Sequence, residues 1–234
     1  MELSKRLEAV ADMVTPGMRL VDVGTDHGYI PIDLVRRGVI PSAIAMDINE
    51  GPLQRAKEHI REHGLEDKIQ TRLSDGLCNL ENEEADCMIA AGMGGGLVIR
   101  ILSDSFDTAS SLKELILQPQ SEIASVRKYL YEQEYCIVEE NMVLDDGKYY
   151  PMMKAVKCKK DEAISPYTEE ELEYGRLLLK NAHPILKEYL KREIEIQTKI
   201  LQTLEKQKSD RARERMTEIQ HRIEWIRKIL EMYF

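Results

Sequence analysis

Along the first 160 positions, short apolar runs alternate with segments of helical spacing. Leu20-Val21-Asp22-Val23 is an apolar, β-branched run carrying one acid, and it breaks into a loop with glycines at 24 and 28. Apolar residues resume at Ile30, Ile32, Leu34 and Val35, which predicts a helix. The same alternation predicts strands over 43–48, Ile69–Leu73, Asp86–Ala91 and Leu115–Gln118, with helices over Leu53–His63, from Leu97 onward, and over Ser121–Glu134. Cys136–Leu144 and Tyr149–Val156 flank Asp145-Asp146-Gly147-Lys148, and Asp-Gly between β-prone runs signals a hairpin. Ahead of all this, Met1–Val14 places Leu3, Leu7, Val10, Ala11 and Val14 among charges, as an amphipathic helix does.

Strands alternating with helices at this spacing imply an α/β fold with a doubly wound, mostly parallel sheet. A parallel sheet closed by one antiparallel hairpin is the layout of Rossmann-like, class I methyltransferases. The pattern changes at the polar connector Cys158–Glu162, so we place one domain over 1–160 and a second over 161–234. The second reads as helical to its end. Thr168-Glu169-Glu170-Glu171 has the form of a capping box. Ala212, Met216, Ile219, Ile223, Ile226 and Leu230 step by 4, 3, 4, 3, 4 as a heptad seam, and Leu186, Leu190, Ile194, Leu201 and Leu204 make a looser match. A polar break from Lys206 to Asp210 separates the two, with Asp210 as a candidate cap. The expected shape is an antiparallel, coiled-coil-like hairpin.

An apolar content of 43% over 234 residues suffices for a real core. The longest uncharged stretch near the middle, Cys87–Ile99, has 13 residues and is glycine-rich, too short to span a bilayer, and the N-terminus is no signal peptide. Cys78, Cys87, Cys136 and Cys158 form no C-x-x-C, so they are expected to be reduced thiols in a cytoplasmic protein, with no zinc site. The net charge is -9, and the first 160 residues carry 19 Lys+Arg against 27 Asp+Glu. That acidity opposes wrapping of nucleic acid, whose phosphates need cations. One local exception is Lys206, Lys208, Arg211, Arg213 and Arg215 at the expected hairpin tip, although charges on long helices are commonly just solvated faces.

The strand–glycine loop–helix at 20–35 is where an open α/β sheet binds a nucleotide-sized ligand. The loop lacks the third glycine of G-x-G-x-x-G and lacks G-x-x-x-x-G-K-[ST]. Asp22 and Asp26 would repel a pyrophosphate. Carboxylates there suit a cofactor with hydroxyls and a positive charge, such as S-adenosylmethionine. The candidate cofactor residues are Asp22, Gly24, Thr25 and Gly28 in this loop, Asp47 and Ile48 at the second strand end, Asp75 and Gly76 at the third, and Ala91 and Gly92 at the fourth. Asp47 lies 23 residues past Gly24, near the offset of about 20 at which an acid meets ribose hydroxyls. Asp75 is placed for an adenine amine, and turn chemistry alone explains it equally well. The candidate acceptor-side residues are Asp26, His27, Tyr29 and Met93. A carboxylate can polarise an exocyclic amine, a histidine can exchange protons near neutral pH, and a tyrosine can stack on a base. Glycines 92, 94, 95 and 96 would leave room for a planar ring, and Gln118-Pro119-Gln120-Ser121 adds a polar rim. His59, His63, His183 and His221 read as solvated helix residues.

Taken together, Val21-Asp22-Val23-Gly24-Thr25-Asp26-His27-Gly28, Ala91-Gly92-Met93-Gly94-Gly95 and Leu117-Gln118-Pro119-Gln120 resemble the bacterial TrmK family. Those proteins are tRNA (adenine-N1)-methyltransferases acting at position 22, in the D arm. The resemblance covers nearly the whole chain. It implies S-adenosylmethionine over the strand ends and tRNA as partner; we further expect Asp26 to contact the amine of the target adenine and the helical domain to dock the tRNA. Two seams within one chain can satisfy each other, which favours a monomer. An rRNA or small-molecule methyltransferase on the same fold, or an RNA-docking protein without turnover, are the competing readings.

Overall fold

The computed structural model describes residues 2–159, 165–206 and 209–234. The elements are α1 (Lys5–Asp12), β1 (Leu20–Val23), α2 (Tyr29–Arg36), β2 (Ala43–Asp47), α3 (Glu50–Glu62), β3 (Ile69–Leu73), β4 (Cys87–Met93), α4 (Gly95–Asp104), α5 (Phe106–Ser111), β5 (Glu114–Pro119), α6 (Ile123–Glu132), β6 (Tyr135–Asp145), β7 (Lys148–Lys157), α7 (Glu169–Tyr174), α8 (Arg176–Lys180), α9 (Pro184–Leu204) and α10 (Asp210–Tyr233). The chain divides into two compact units, 1–168 and 169–234.

In the first unit the seven strands run β3-β2-β1-β4-β5-β7-β6. All neighbours are parallel except β5 with β7 and β6 with β7. The order reverses between β1 and β4, the switch point where an open α/β sheet forms its crevice. The period of two sorts side chains onto two faces. Val21, Val23, Met88, Leu115 and Leu117 pack with Val98, Leu102, Val126 and Leu130 from α4 and α6. Leu20, Ala43, Ile89 and Ile116 pack with Val10, Ala11, Ile32, Leu34 and Ile60 from α1, α2 and α3. Asp22 shares the register of Leu20, so it faces the layer that α1 and α2 cover.

α3 starts at Glu50, three residues before the predicted Leu53. Pro52 falls in its first turn, where the missing N–H costs nothing. The short α5 has too few residues for a periodic signal and was not predicted. The expectation of four reduced thiols is corrected. Cys136 and Cys158 form a disulfide with Cα atoms 5.2 Å apart. Antiparallel pairing of β6 and β7 sets Cys136 opposite Val156, and so beside Cys158, although 22 positions separate the two in sequence. Cys78 and Cys87 are free, and burial pushes the Cys87 thiol up. Most of the connector, residues 160–162, lies outside the described residues.

In the second unit α9 and α10 pair as a hairpin. Ala212, Ile219, Ile223, Ile226 and Ile229 are buried on α10, facing buried Leu186 and Leu190 on α9. The seam therefore ends on Ile229 rather than Leu230, and Met216 is half-buried. Arg222 fastens three helices: it donates at 2.8 Å to Glu173 of α7 and at 2.8 Å to Glu193 of α9, and its guanidinium lies over Trp225. The cap of α10 is Ser209, whose hydroxyl accepts from the Ala212 amide, and not Asp210, which is already the first helical residue. Among the described residues, no helix is long and apolar enough to cross a membrane.

Arg127 of α6 and Glu140 of β6 form an ion pair at 2.8 Å with both side chains 1% exposed. Arg127→Leu removes this cation from a buried carboxylate and should cost about 3–5 kcal/mol in urea unfolding. Arg127→Leu/Glu140→Leu should recover most of that loss.

Candidate active site

The loop after β1 is held in place by β2. The amides of Gly24 and Thr25 both donate to the Met46 carbonyl, at 2.8 and 2.9 Å. Gly24 has φ +75°, and a Cβ there would stand 2.8 Å from Cε of Met93. The left-handed conformation demands glycine, while the Met93 methyl, at the end of a flexible side chain, can shift. His27 and Gly28 follow in consecutive left-handed conformations, turning the chain into α2. The loop bounds a cleft of about 230 Å³, lined by Arg6, Leu7, Asp22, Gly24, Thr25, Asp26, His27, Tyr29, Ile30 and Ala91.

Asp22 sits at the bottom, 7% exposed. Burial pushes its carboxyl up to about 6, and the negative charge of Asp47 adds to the shift. The Thr25 hydroxyl opposes it by proximity, but makes no hydrogen bond of good geometry: among the described residues, Thr25 Oγ1 is a buried polar atom without a partner. Asp47 and Asp75 stand at the tips of β2 and beyond β3. Asp47 Oδ1 accepts from the Asn49 amide at 2.7 Å. Asp75 is paired to Arg100 of α4 at 2.8 Å. Ile48, next to Asp47, leaves 57% of its surface exposed.

The structure thus brings Asp22, Gly24, Thr25, Asp26, His27, Tyr29 and Ala91 into one cleft and sets Asp47, Ile48 and Asp75 outside its lining. Other predicted residues also have close packing neighbours. A Cβ on Gly28 would lie 3.3 Å from Ala56 of α3, and one on Gly76 would lie 3.0 Å from Ile101 of α4. Met93 fills the space over Gly24, and Gly92 turns the chain with φ +82°. The later glycines do not open room for a ring. Gly95 N–H donates to the Ser121 carbonyl and Gly96 N–H to the Glu122 carboxylate, and a Cβ on Gly95 would meet Ser121 O at 2.5 Å. They let α4 approach the start of α6.

At the mouth, Asp26 is 61% exposed, bound by Arg55 of α3 at 2.7 Å and by His27 Nε2 at 3.4 Å. The rings of His27, Tyr29 and His59 stack within 5.0–5.4 Å of one another. His59 is therefore not the solvated residue its helix suggested. Its Nδ1 lies 3.1 Å from the His27 carbonyl. His63 Nδ1 contacts the His59 carbonyl and His183 is half-buried, whereas His221 is exposed as expected.

Three site residues escaped the sequence reading: Arg6, Arg55 and His59. Arg6 leaves α1 to donate 2.8 Å to buried Gln118 at the tip of β5 and to lie over the Tyr150 ring. Its backbone N–H donates to Asp145. The amphipathic pattern of 1–14 told only which face packs, not which strand tips Arg6 reaches. Arg55 and His59 had a usable signal, their spacing of four on α3, which sets them on one face.

Residues 3–153 match a family model described as a methyltransferase domain. The chain is 36% identical to the tRNA (adenine(22)-N(1))-methyltransferase of Bacillus subtilis (strain 168) over 70% of this chain and 68% of that protein. Solved structures share its fold, among them the following two. Streptococcus pneumoniae Sp1610 in complex with S-adenosyl-L-methionine superposes with a TM-score of 0.86 at 33% identity, over 98% of this chain and 100% of that one. TrmK of M. capricolum, in complex with S-adenosyl-homocysteine, superposes with a TM-score of 0.84 at 29% identity over 100% of both.

A carboxyl raised in the folded state stabilises fully below its unfolded value and loses that contribution as pH rises through about 6. Asp22→Asn should therefore gain stability relative to the parent on going from pH 4.5 to pH 8, by about 2 kcal/mol, in melts of the cofactor-free protein. A difference that does not change with pH would contradict a buried, proton-hungry Asp22.

Proposed function

The chain belongs to the TrmK family of methyltransferases, and on that footing we propose that it methylates N1 of adenosine 22 in the D arm of tRNA, using S-adenosylmethionine. The observation that carries the cofactor reading is the buried Asp22 carboxylate at the switch point, below an unpartnered Thr25 hydroxyl. Carboxylates at three strand tips fit a cationic, unphosphorylated nucleoside and repel a diphosphate. In this reading Asp22 and Thr25 hold the amino-acid end, with Arg6 as the cation for its carboxylate. Asp47 accepts from the ribose hydroxyls, Ile48 covers the adenine face, and Asp75, once released by Arg100, accepts the adenine amine. Gly24, Gly28, Gly76, Ala91 and Gly92 keep the backbone low around the ligand. S-adenosylmethionine supplies the electrophile, a methyl group on a sulfonium sulfur.

The acceptor needs little chemistry from the protein. Adenine N1 carries its own lone pair, so no base must deprotonate it before attack. Its edge is hidden in a paired or stacked helix, so the base must be extruded into the cleft. Positioning then supplies most of the acceleration. Asp26 is placed to accept from the exocyclic amine and to offset the positive charge that the ring gains. His27 and Tyr29 wall the base, and Met93 shapes the floor from above Gly24.

Residues 1–160 act as the cofactor-binding domain and 161–234 as the tRNA-docking domain. The exposed Arg211, Arg213 and Arg215 of α10, with Lys206, suit tRNA phosphates. Lys208 lies outside the described residues. The α9–α10 seam closes within one chain, which supports a monomer, and a tRNA substrate places the work in the cytoplasm.

The decisive experiment is radiolabelled methyl transfer into bulk tRNA followed by digestion to nucleosides. The expected product is 1-methyladenosine; label in rRNA alone would favour the alternative acceptor on the same fold. Asp26→Ala should lower turnover about 100-fold or more with cofactor affinity kept within a few-fold. Arg211→Glu/Arg213→Glu/Arg215→Glu should raise KM for tRNA at least about tenfold, while cofactor binding by calorimetry stays unchanged.

A further inference from the structure

The α3 face that carries Arg55 and His59 has no part in cofactor binding as described above, yet it touches three residues that line the cleft, Asp26, His27 and Tyr29. His59 stacks on both His27 and Tyr29, with planes 18° and 12° from theirs. The contact of its Nδ1 with the His27 carbonyl fixes the ring's orientation. Three near-parallel rings, each partly exposed, at the edge of a cleft whose floor is a carboxylate form a surface of π faces. One turn earlier on the same helix, Arg55 is 46% exposed and holds Asp26 through Nε and Nη2 together. An ion pair this exposed exchanges readily for another anion.

We infer that His59 and Arg55 form the wall that receives the acceptor nucleotide: the His27–Tyr29–His59 rings stack an unpaired purine, and Arg55 moves from Asp26 to that nucleotide's phosphate. This rests on the RNA-methyltransferase reading and adds the residues that select an extruded nucleotide. It also resolves the charge problem. Residues 1–160 are strongly acidic, and a phosphodiester approaching Asp22 and Asp26 needs a cation at the mouth. The exchange has a second consequence. When Arg55 leaves, Asp26 gains an oxygen for the purine's amine, so arrival of the phosphate readies the carboxylate. Stacking is tolerant of base identity, so the wall selects an unstacked nucleotide and Asp26 selects its amine.

The test compares the full-length parent with His59→Ala, His59→Phe and Arg55→Ala, measuring S-adenosylmethionine affinity by calorimetry and steady-state methylation of tRNA. His59→Ala should raise KM for tRNA about tenfold with cofactor affinity unchanged, and His59→Phe should restore KM to within about twofold of the parent. Arg55→Ala should weaken tRNA binding and lower the slope of log KM against log salt by roughly one phosphate contact. Three results overturn the inference while leaving the methyltransferase reading intact: an unchanged KM in His59→Ala, a His59→Phe as impaired as His59→Ala, or an unchanged salt slope in Arg55→Ala. Loss of cofactor affinity in His59→Ala would also overturn it, by assigning the rings to the support of the loop. A parent that transfers no methyl group to tRNA would instead overturn the reading on which the inference stands.

Discussion

A carboxylate buried at the tip of β1 is the constraint around which the first unit is arranged. Asp22 lies on the face that α1 and α2 cover, is almost fully removed from water, and is held up near 6 by that burial. Such a group destabilises the folded chain at neutral pH unless a cation or a donor joins it. The geometry around it is that of a site kept ready at the expense of stability. The Thr25 hydroxyl points nowhere useful by itself, Gly24 keeps the backbone low, and both loop amides are fastened to Met46 so that the loop cannot collapse onto the acid.

The other strand tips follow the same logic with less burial. Asp47 and Asp75 are open to water and hold local partners, an amide and Arg100. Asp26 holds Arg55 in the same manner. Partnered acids thus stand at the cleft mouth and at the neighbouring strand ends, around one buried acid whose near neighbour is the Thr25 hydroxyl. In the proposed reading, a ligand bearing a positive centre and several hydroxyls would relieve the deep acid and replace the shallow partners. A diphosphate would meet repulsion at each of these positions.

The two units divide the electrostatic work. The first is acidic and suits a cationic cofactor; the second is nearly balanced overall but exposes arginines on one end of α10. Its fold is kept by a different means. Where the first unit depends on two apolar layers against a sheet, the second depends on a narrow isoleucine seam and on Arg222, which gathers Glu173, Glu193, Tyr174 and Trp225 onto one guanidinium. Arginine suits that place because its planar fork pairs with two carboxylates while its face rests on rings.

The sequence by itself determined the order of strands and helices, the switch-point loop, the hairpin of β6 and β7, the helical C-terminal region and the acids at the strand tips. Each is written in local period or in a turn residue, such as the alternation around Asp22 or Asp-Gly at 146–147, and local signals survive without knowledge of neighbours. Tertiary structure alone decided what those residues touch. Arg6 reaches Gln118 across 112 positions, His59 stacks on His27 across 32, and Cys136 meets Cys158 only because two strands pair antiparallel. The glycines at 95 and 96 looked like room for a ligand and are instead the close approach of α4 to α6, since a missing Cβ marks proximity without saying to what. Partner identity is a property of packing between distant segments, and no periodicity within one segment encodes it.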